Sequence, residues 1–375
     1  MKVVVAIDSL KESLSSIKAG MAIRDGVLAA KPDAEVIVKP LADGGEGTTD
    51  ALIEGMNGKR IDLTVTGPMG TPINAYYGYL ADCHTAVMEM ASAAGITLVP
   101  AAEKNPLLAT SYGVGEMMNN ALQKGCRNFI IGIGGSATND GGIGMLKALG
   151  VRFLDENGED TGEGGQALAR VAQINVSGLN PLLKECHIQV ACDVNNPLCG
   201  ENGSTYVYGP QKGVTENMKK QLDEDMTHFA MVTSETLGND YHDTPGAGAA
   251  GGLGFAFLSY IGATLTPGIK LILDAVRLEQ ELPNTDIVVT GEGCLDFQTA
   301  MGKAPVGVAR LAKKYHAKVI AFAGNVTKEA SACNKEGIDA FFPILRSVCT
   351  LEEAMDPANA RANLTATVEQ VFRLL

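Results

Sequence analysis

Positive charge is in short supply in this chain of 375 residues: 30 lysines and arginines face 43 aspartates and glutamates, a formal net charge of -13. General nucleic-acid binding, which neutralises phosphates with clustered cations, is thereby excluded. A small anionic ligand is not, because a few local cations and backbone N–H groups can hold one. The 8 cysteines form no C-x-x-C pair, and none of the 5 histidines stands at metal-ligand spacing from another. The thiols read as reduced and mostly buried in a cytoplasmic setting, and the histidines receive no role. No G-x-S-x-G elbow is present, which speaks against a serine hydrolase. No Walker A sequence is present either, since Gly302-Lys303 is followed by Ala304 and lacks the glycine five positions earlier.

Long apolar runs are also scarce. Five apolar residues precede Asp8, too few for a signal-peptide core, and they suit a first buried strand. Residues 244–269 carry no charge and are long enough to span a bilayer. Their first half is glycine and alanine, however, so a buried helix entered through a glycine-rich loop is expected, and no membrane span. There is no linker, internal repeat or low-complexity tract.

What is present is a repeated strand–helix–strand pattern. Short Val- and Ile-rich runs at 3–7 and 35–38 flank a helix near 15–30. The carboxyl-terminal third repeats this with strands at 286–290, 318–323 and 340–342 and helices near 305–315, 328–336 and 359–374. The middle holds strand-like segments at 74–80, 85–90, 128–133 and 188–192, and helices near 113–124 and 215–236. The expected fold class is α/β. A discontinuous doubly wound domain at 1–64 plus 284–375 receives an inserted mixed α/β domain at 65–283, and a cleft between such domains is a common place for a ligand.

Glycine, 44 residues in all, gathers where apolar runs end: 43–47, 132–142, 246–254 and 291–293. Such loops let backbone approach a ligand closely and, before a helix, bind anions. In the strongest, a buried strand runs into Gly134-Gly135-Ser136-Ala137-Thr138, whose hydroxyls add donors for a phosphate or carboxylate. Gly246, Gly248 and Gly251 belong to a second candidate cradle. Acidic residues recur near the same strand ends: Asp8, Asp43 and Glu46, Asp193, then Glu292 and Asp296. Carboxylates for a metal or a proton, with cations at Lys11, Lys212 and Lys303, are the parts phosphoryl transfer needs. Two other readings remain open at this point. Gly132-x-Gly134-x-x-Ala137 with Asp155 downstream matches a dinucleotide fingerprint and would suit an NAD-dependent hydroxy-acid oxidoreductase. A non-catalytic sensor of a small hydroxy acid or a nucleotide would retain the cradles alone.

Taken together, DSLKESLSS at 8–16, ADGGEGT at 42–48, TGPMG at 66–70, IGIGGSATNDGGIGML at 131–146, ACDVNNPLCG at 191–200, GPQKG at 209–213, PGAGAAGGLG at 245–254 and TGEGCLDFQTAMGKAP at 290–305 resemble the bacterial glycerate kinase family, of the glycerate 2-kinase type. The resemblance runs nearly the whole chain. It implies a flavodoxin- or Rossmann-like discontinuous domain plus a second α/β domain. It also implies transfer of the ATP γ-phosphoryl group to D-glycerate with Mg²⁺, favouring 2-phosphoglycerate over 3-phosphoglycerate, in degradation of glycolate, glyoxylate or sugar acids. On this reading Asp8 or Asp193 handles the acceptor hydroxyl, and Asp43, Glu46, Glu292 and Asp296 serve the metal. Lys11 and Lys303 meet carboxylate or phosphate, while Ser9, Lys212 and the two glycine-rich loops bind anionic groups. Ile7 and Leu10 depart from a proline and an aromatic common in the family, yet leave Asp8, Ser9 and Lys11 in place. Oligomeric state is not set by any of these residues.

Overall fold

Unbroken apolar runs become fully buried strands here, and alternating runs become half-exposed ones. The computed structural model describes residues 1–375 apart from the side chain of Asp82. Its strands, in chain order, are β1 (Lys2–Ile7), β2 (Glu35–Pro40), β3 (Lys59–Thr66), β4 (Pro72–Leu80), β5 (Thr85–Glu89), β6 (Asn128–Gly132) and β7 (Arg152–Leu154). They continue as β8 (Gln173–Asn175), β9 (His187–Ala191), β10 (Thr264–Thr266), β11 (Ile287–Leu295), β12 (Lys318–Val326) and β13 (Ala340–Pro343). The chain is α/β, as expected, and divides into two compact units.

The first unit comprises residues 1–43, 50–57 and 269–375. Its sheet has the order β13-β12-β11-β1-β2, every pairing parallel. Val3, Val5 and Ile7 pack into a core with Ile23 and Val27 of the helix Ser16–Ala30 and with Leu364, Val368 and Phe372 of the helix Pro357–Arg373. Val4 and Ala6, on the opposite face by strand alternation, are also 0% exposed, so both faces are covered. In such a sheet the strand carboxyl ends, here just beyond Ile7 and along β11, are where side chains can meet a ligand.

The second unit comprises residues 44–49 and 58–268. Its main sheet has the order β10-β9-β6-β5-β4-β3: β10, β9, β6 and β5 run parallel, while β4 and β3 are antiparallel additions. β7 and β8 form a separate ribbon. The expected boundary near residue 64 falls inside β3, whose Ile61, Leu63 and Val65 alternate and whose backbone pairs with β4. Residues 253–261 form the short buried helix foreseen after the glycine-rich loop. Among the described residues no helix is long and apolar enough to cross a membrane.

Candidate functional site

In the first unit, β1 ends at Ile7 and the Asp8 N–H donates to the Gly291 carbonyl at 3.0 Å, tying the Asp8 turn to β11. β11 continues beyond the expected stop at residue 290, because β12 runs beside it to Val326 and offers partners to Glu292, Cys294 and Leu295. Glu292 therefore sits inside a strand, and only Asp296 follows it. Burial pushes the Asp8 carboxyl up to about 7; the Ser9 N–H at 2.6 Å and Lys11 oppose the rise, while Asp43 and Glu292 add to it. Burial raises Glu292 as well, with Asp296 and Asp43 adding to it and the Thr299 hydroxyl and Lys303 opposing. Asp8, Asp43, Glu292 and Asp296 thus form one carboxylate group, with Lys11 and Lys303 at its edges.

Part of this group already has structural work. Asp296 Oδ1 accepts from the Gln298 and Thr299 N–H groups at 2.8 and 3.1 Å and caps the short helix Phe297–Ala300. Thr299 Oγ1 donates to Glu292 Oε1 at 2.6 Å, fixing that carboxylate. Glu46 is exposed and belongs to the second unit, whereas Asp43, Glu292 and Asp296 belong to the first. Among the described residues no three His, Cys, Asp or Glu side chains are arranged to hold a metal ion by themselves.

The second unit holds a cavity of about 230 Å³, lined by Gly44, Gly134, Ser136, Asp193, Tyr208 and Lys212 among others. β6 delivers Gly134 and Gly135, β9 delivers Asp193, and the turn Pro210–Lys212 delivers the lysine. The Gly134 and Gly135 N–H groups donate to no protein acceptor among the described residues. Lys212 is only 2% exposed, and its Nζ donates to Ser136 Oγ at 2.7 Å and to the Thr138 carbonyl at 2.6 Å. Burial brings this ammonium down to about 7, with Asp140 opposing. Asp193 Oδ1 accepts from the Gly268 N–H at 2.9 Å, which orients the carboxylate while leaving the residue exposed. Free amides, hydroxyls and a cation are groups that can hold an anion, and one carboxylate stands beside them.

The sequence pattern of the Glycerate kinase family matches residues 3–375. This chain belongs to the glycerate kinase family. It is 48% identical over 366 residues to a glycerate kinase of Bacillus subtilis (strain 168), spanning 98% of this chain and 96% of that one. To the glycerate 2-kinase of Escherichia coli (strain K12) it is 47% identical over 373 residues, 98% of each chain. A crystal structure of a glycerate kinase 2 candidate from Salmonella typhimurium LT2 superposes with a TM-score of 0.92 at 46% identity, covering 100% of this chain and 98% of that one. A member of this kinase family at such coverage is an enzyme of the phosphotransferase class.

Membership in the glycerate kinase family disfavours the dinucleotide reading, and the geometry gives the reason. The helix after β6 starts only at Ile143, well beyond Ala137, so the glycines do not open a helix onto a pyrophosphate. Asp155 is held in a turn by the Asn157 and Glu159 N–H groups and an Arg170 ion pair at 2.9 Å. The second cradle also changes meaning. A Cβ on Gly246, Gly248 or Gly251 would meet Cys192 Sγ at 2.9 Å, the Pro197 carbonyl at 2.1 Å or the Thr138 carbonyl at 2.0 Å. These glycines let the loop pack against its own unit, and it is Ala249 and Ala250 that line the cavity. Ala137 is buried, and Thr138 contributes its carbonyl to Lys212.

Sequence reasoning assigned no role to Asp140 or Glu89. Asp140 is fully buried and accepts from Ser111 N and Oγ, Gly142 N and Gly144 N, which sets the turn that follows Thr138. Glu89 accepts from the Gly47 and Thr49 N–H groups at 3.3 and 2.8 Å and anchors the glycine segment at the cavity edge. Asp140 lies inside the family segment 131–146, which was its signal in the sequence, whereas Glu89 lies in none of the family segments and had none.

Proposed function

We propose that this enzyme transfers the γ-phosphoryl group of ATP to D-glycerate with Mg²⁺, yielding 2-phosphoglycerate rather than 3-phosphoglycerate. The setting is cytoplasmic breakdown of glycolate, glyoxylate or sugar acids. The observation that carries the acceptor assignment is the second-unit cavity, in which Lys212, the Gly134 and Gly135 amides and Ser136 lie with Asp193. At about 230 Å³ it is below the range of pockets that enclose drug-sized ligands, and a three-carbon hydroxy acid suits it better than a nucleotide. The cradle would take the glycerate carboxylate, and Asp193 would accept the hydroxyl proton as the oxygen attacks phosphorus. The name of the Escherichia coli relative, a glycerate 2-kinase, supports the 2-ester.

The carboxylates of the first unit fit Mg²⁺, which takes oxygen ligands and is usually held by one or two carboxylates plus phosphates and water. One or two of Asp43, Glu292 and Asp296 would hold it together with phosphate oxygens and water, and mutual repulsion around Asp8 is what a bound cation would relieve. Bound there, the ion would offset charge on the transferring phosphoryl oxygens. Lys11 and Lys303 would meet the phosphate chain. The decisive experiment is ³¹P NMR of enzyme, Mg-ATP and D-glycerate. A new 2-phosphoglycerate resonance with ADP is expected; a 3-phosphoglycerate resonance would overturn the ester assignment, and an unchanged spectrum the whole reading.

A further inference from the structure

A second, separate hollow lies wholly within the first unit, at the carboxyl ends of β1, β11, β12 and β13, with a volume of about 140 Å³. Its walls are aliphatic, including Leu10, Ile344, Leu345 and Leu351, and backbone at Gly293 and Gly324 forms part of the lining. Two observations mark it as more than a packing defect. Leu345 and Leu351, both in its lining, are 40% and 78% exposed and form an apolar rim. Finally, Lys11 lines the hollow and also acts electrostatically on Asp8, so one cation joins the apolar slot to the carboxylate group.

We propose that this slot binds the purine ring of the nucleotide donor, with Lys11 turned towards the phosphates. The assignment rests on the kinase reading above. A flat, weakly polar heteroaromatic ring with an anionic tail matches an aliphatic slot with a few polar groups and a lysine at one end. The volume holds one ring system and not a whole nucleotide, which places sugar and phosphates outside it, on the Lys11 side.

The test uses the full-length enzyme and an adenosine triphosphate carrying an azide on its purine ring. After illumination, the label is expected on peptides containing Leu345, Leu351 or Met355, and unmodified ATP should compete it away. Label on second-unit peptides, or label that ATP does not displace, overturns the slot. ADP formation with D-glycerate, measured on the same preparation, keeps the two claims apart. Turnover with label elsewhere removes the slot and leaves the kinase reading. Competed label at the slot without turnover does the reverse. As a second measure, Leu351→Asp places a carboxylate on an exposed residue in the first turn of the helix Leu351–Met355, where the helix dipole favours it. It should raise the KM for ATP roughly tenfold or more, the scale of a lost apolar contact, with the KM for D-glycerate and kcat nearly unchanged. An unchanged KM for ATP in a folded variant counts against the slot.

Discussion

The two units carry sites of opposite electrostatic character. In the first, Asp8, Asp43 and Glu292 crowd together, and burial pushes an acid up to about 7. In the second, amides, hydroxyls and a sealed lysine surround a cavity, and burial brings a base down to about 7. One arrangement calls for a cation and the other for an anion, and each folded unit has desolvated a group that would be more comfortable in water. Sites that cost stability in this way are where function is commonly found, so the contrast can be attacked by removing one group from each.

The largest effects are expected in the second unit. Asp193→Asn keeps the size and the hydrogen bond from the Gly268 N–H but removes the proposed proton acceptor, so kcat should fall by about 10²–10⁴ with fold intact. Lys212→Met fills the same buried space without charge. It should lower kcat/KM by roughly 10²–10³, the scale of losing one preorganised charge-stabilising donor. Steady-state kinetics with D-glycerate varied would check both. A near-normal rate in either folded variant would confine that residue to a structural role.

A middle-sized effect tests the contrast itself, through stability in magnesium-free buffer. Asp8 titrates at about 7 when folded against 3.8 ordinarily, so between these values the folded chain holds a proton that the unfolded chain has lost. Its contribution is fully present below 3.8 and disappears as pH rises through 7. Lys212 titrates at about 7 when folded against 10.5 ordinarily, so there the unfolded chain holds the extra proton, and stability rises as pH climbs from 7 to 10.5. Melting temperature against pH should therefore dip near neutrality. Asp8→Asn should flatten the acid side and Lys212→Met the alkaline side. Asp8→Asn should also be more stable than the parent above pH 7 while losing turnover; a less stable variant there would refute the repulsive account of the carboxylate group.

How much of this contrast could be read in the sequence follows from what each feature depends on. Strands such as β1, β6 and β9 announce themselves because burial on both faces demands unbroken apolar runs. β3 was harder, since its alternation is short and its partner β4 follows only after a turn. Asp8, Asp193 and Asp296 were legible as strand-end acids, yet the capping role of Asp296 needed coordinates. The glycines at 246, 248 and 251 suggested ligand approach, but a sequence cannot say whether the close neighbour of a glycine is a ligand or the protein's own carbonyl. Lys212 was named for its charge, and nothing local reveals that distant residues Ser136 and Thr138 bury it.

The smallest effect concerns Ala250, which breaks a local rule inside the glycine-rich loop. Its φ and ψ of 54° and 36° are left-handed, a conformation its glycine neighbours adopt more cheaply, and its side chain lines the cavity. Left-handed geometry costs a residue with a Cβ about 1–2 kcal/mol, whereas glycine carries an entropic penalty of roughly 0.5–1 kcal/mol. Strain should narrowly win, so Ala250→Gly is expected to stabilise the second unit by about 0.5 kcal/mol, read from denaturant midpoints at constant slope. Because the same change removes a methyl from the cavity wall, the KM for D-glycerate should rise by a small factor. If Ala250→Gly instead destabilises the chain by more than about 1 kcal/mol, the methyl is a packing contact that outweighs its strain. The alanine would then belong to the core and not to the ligand.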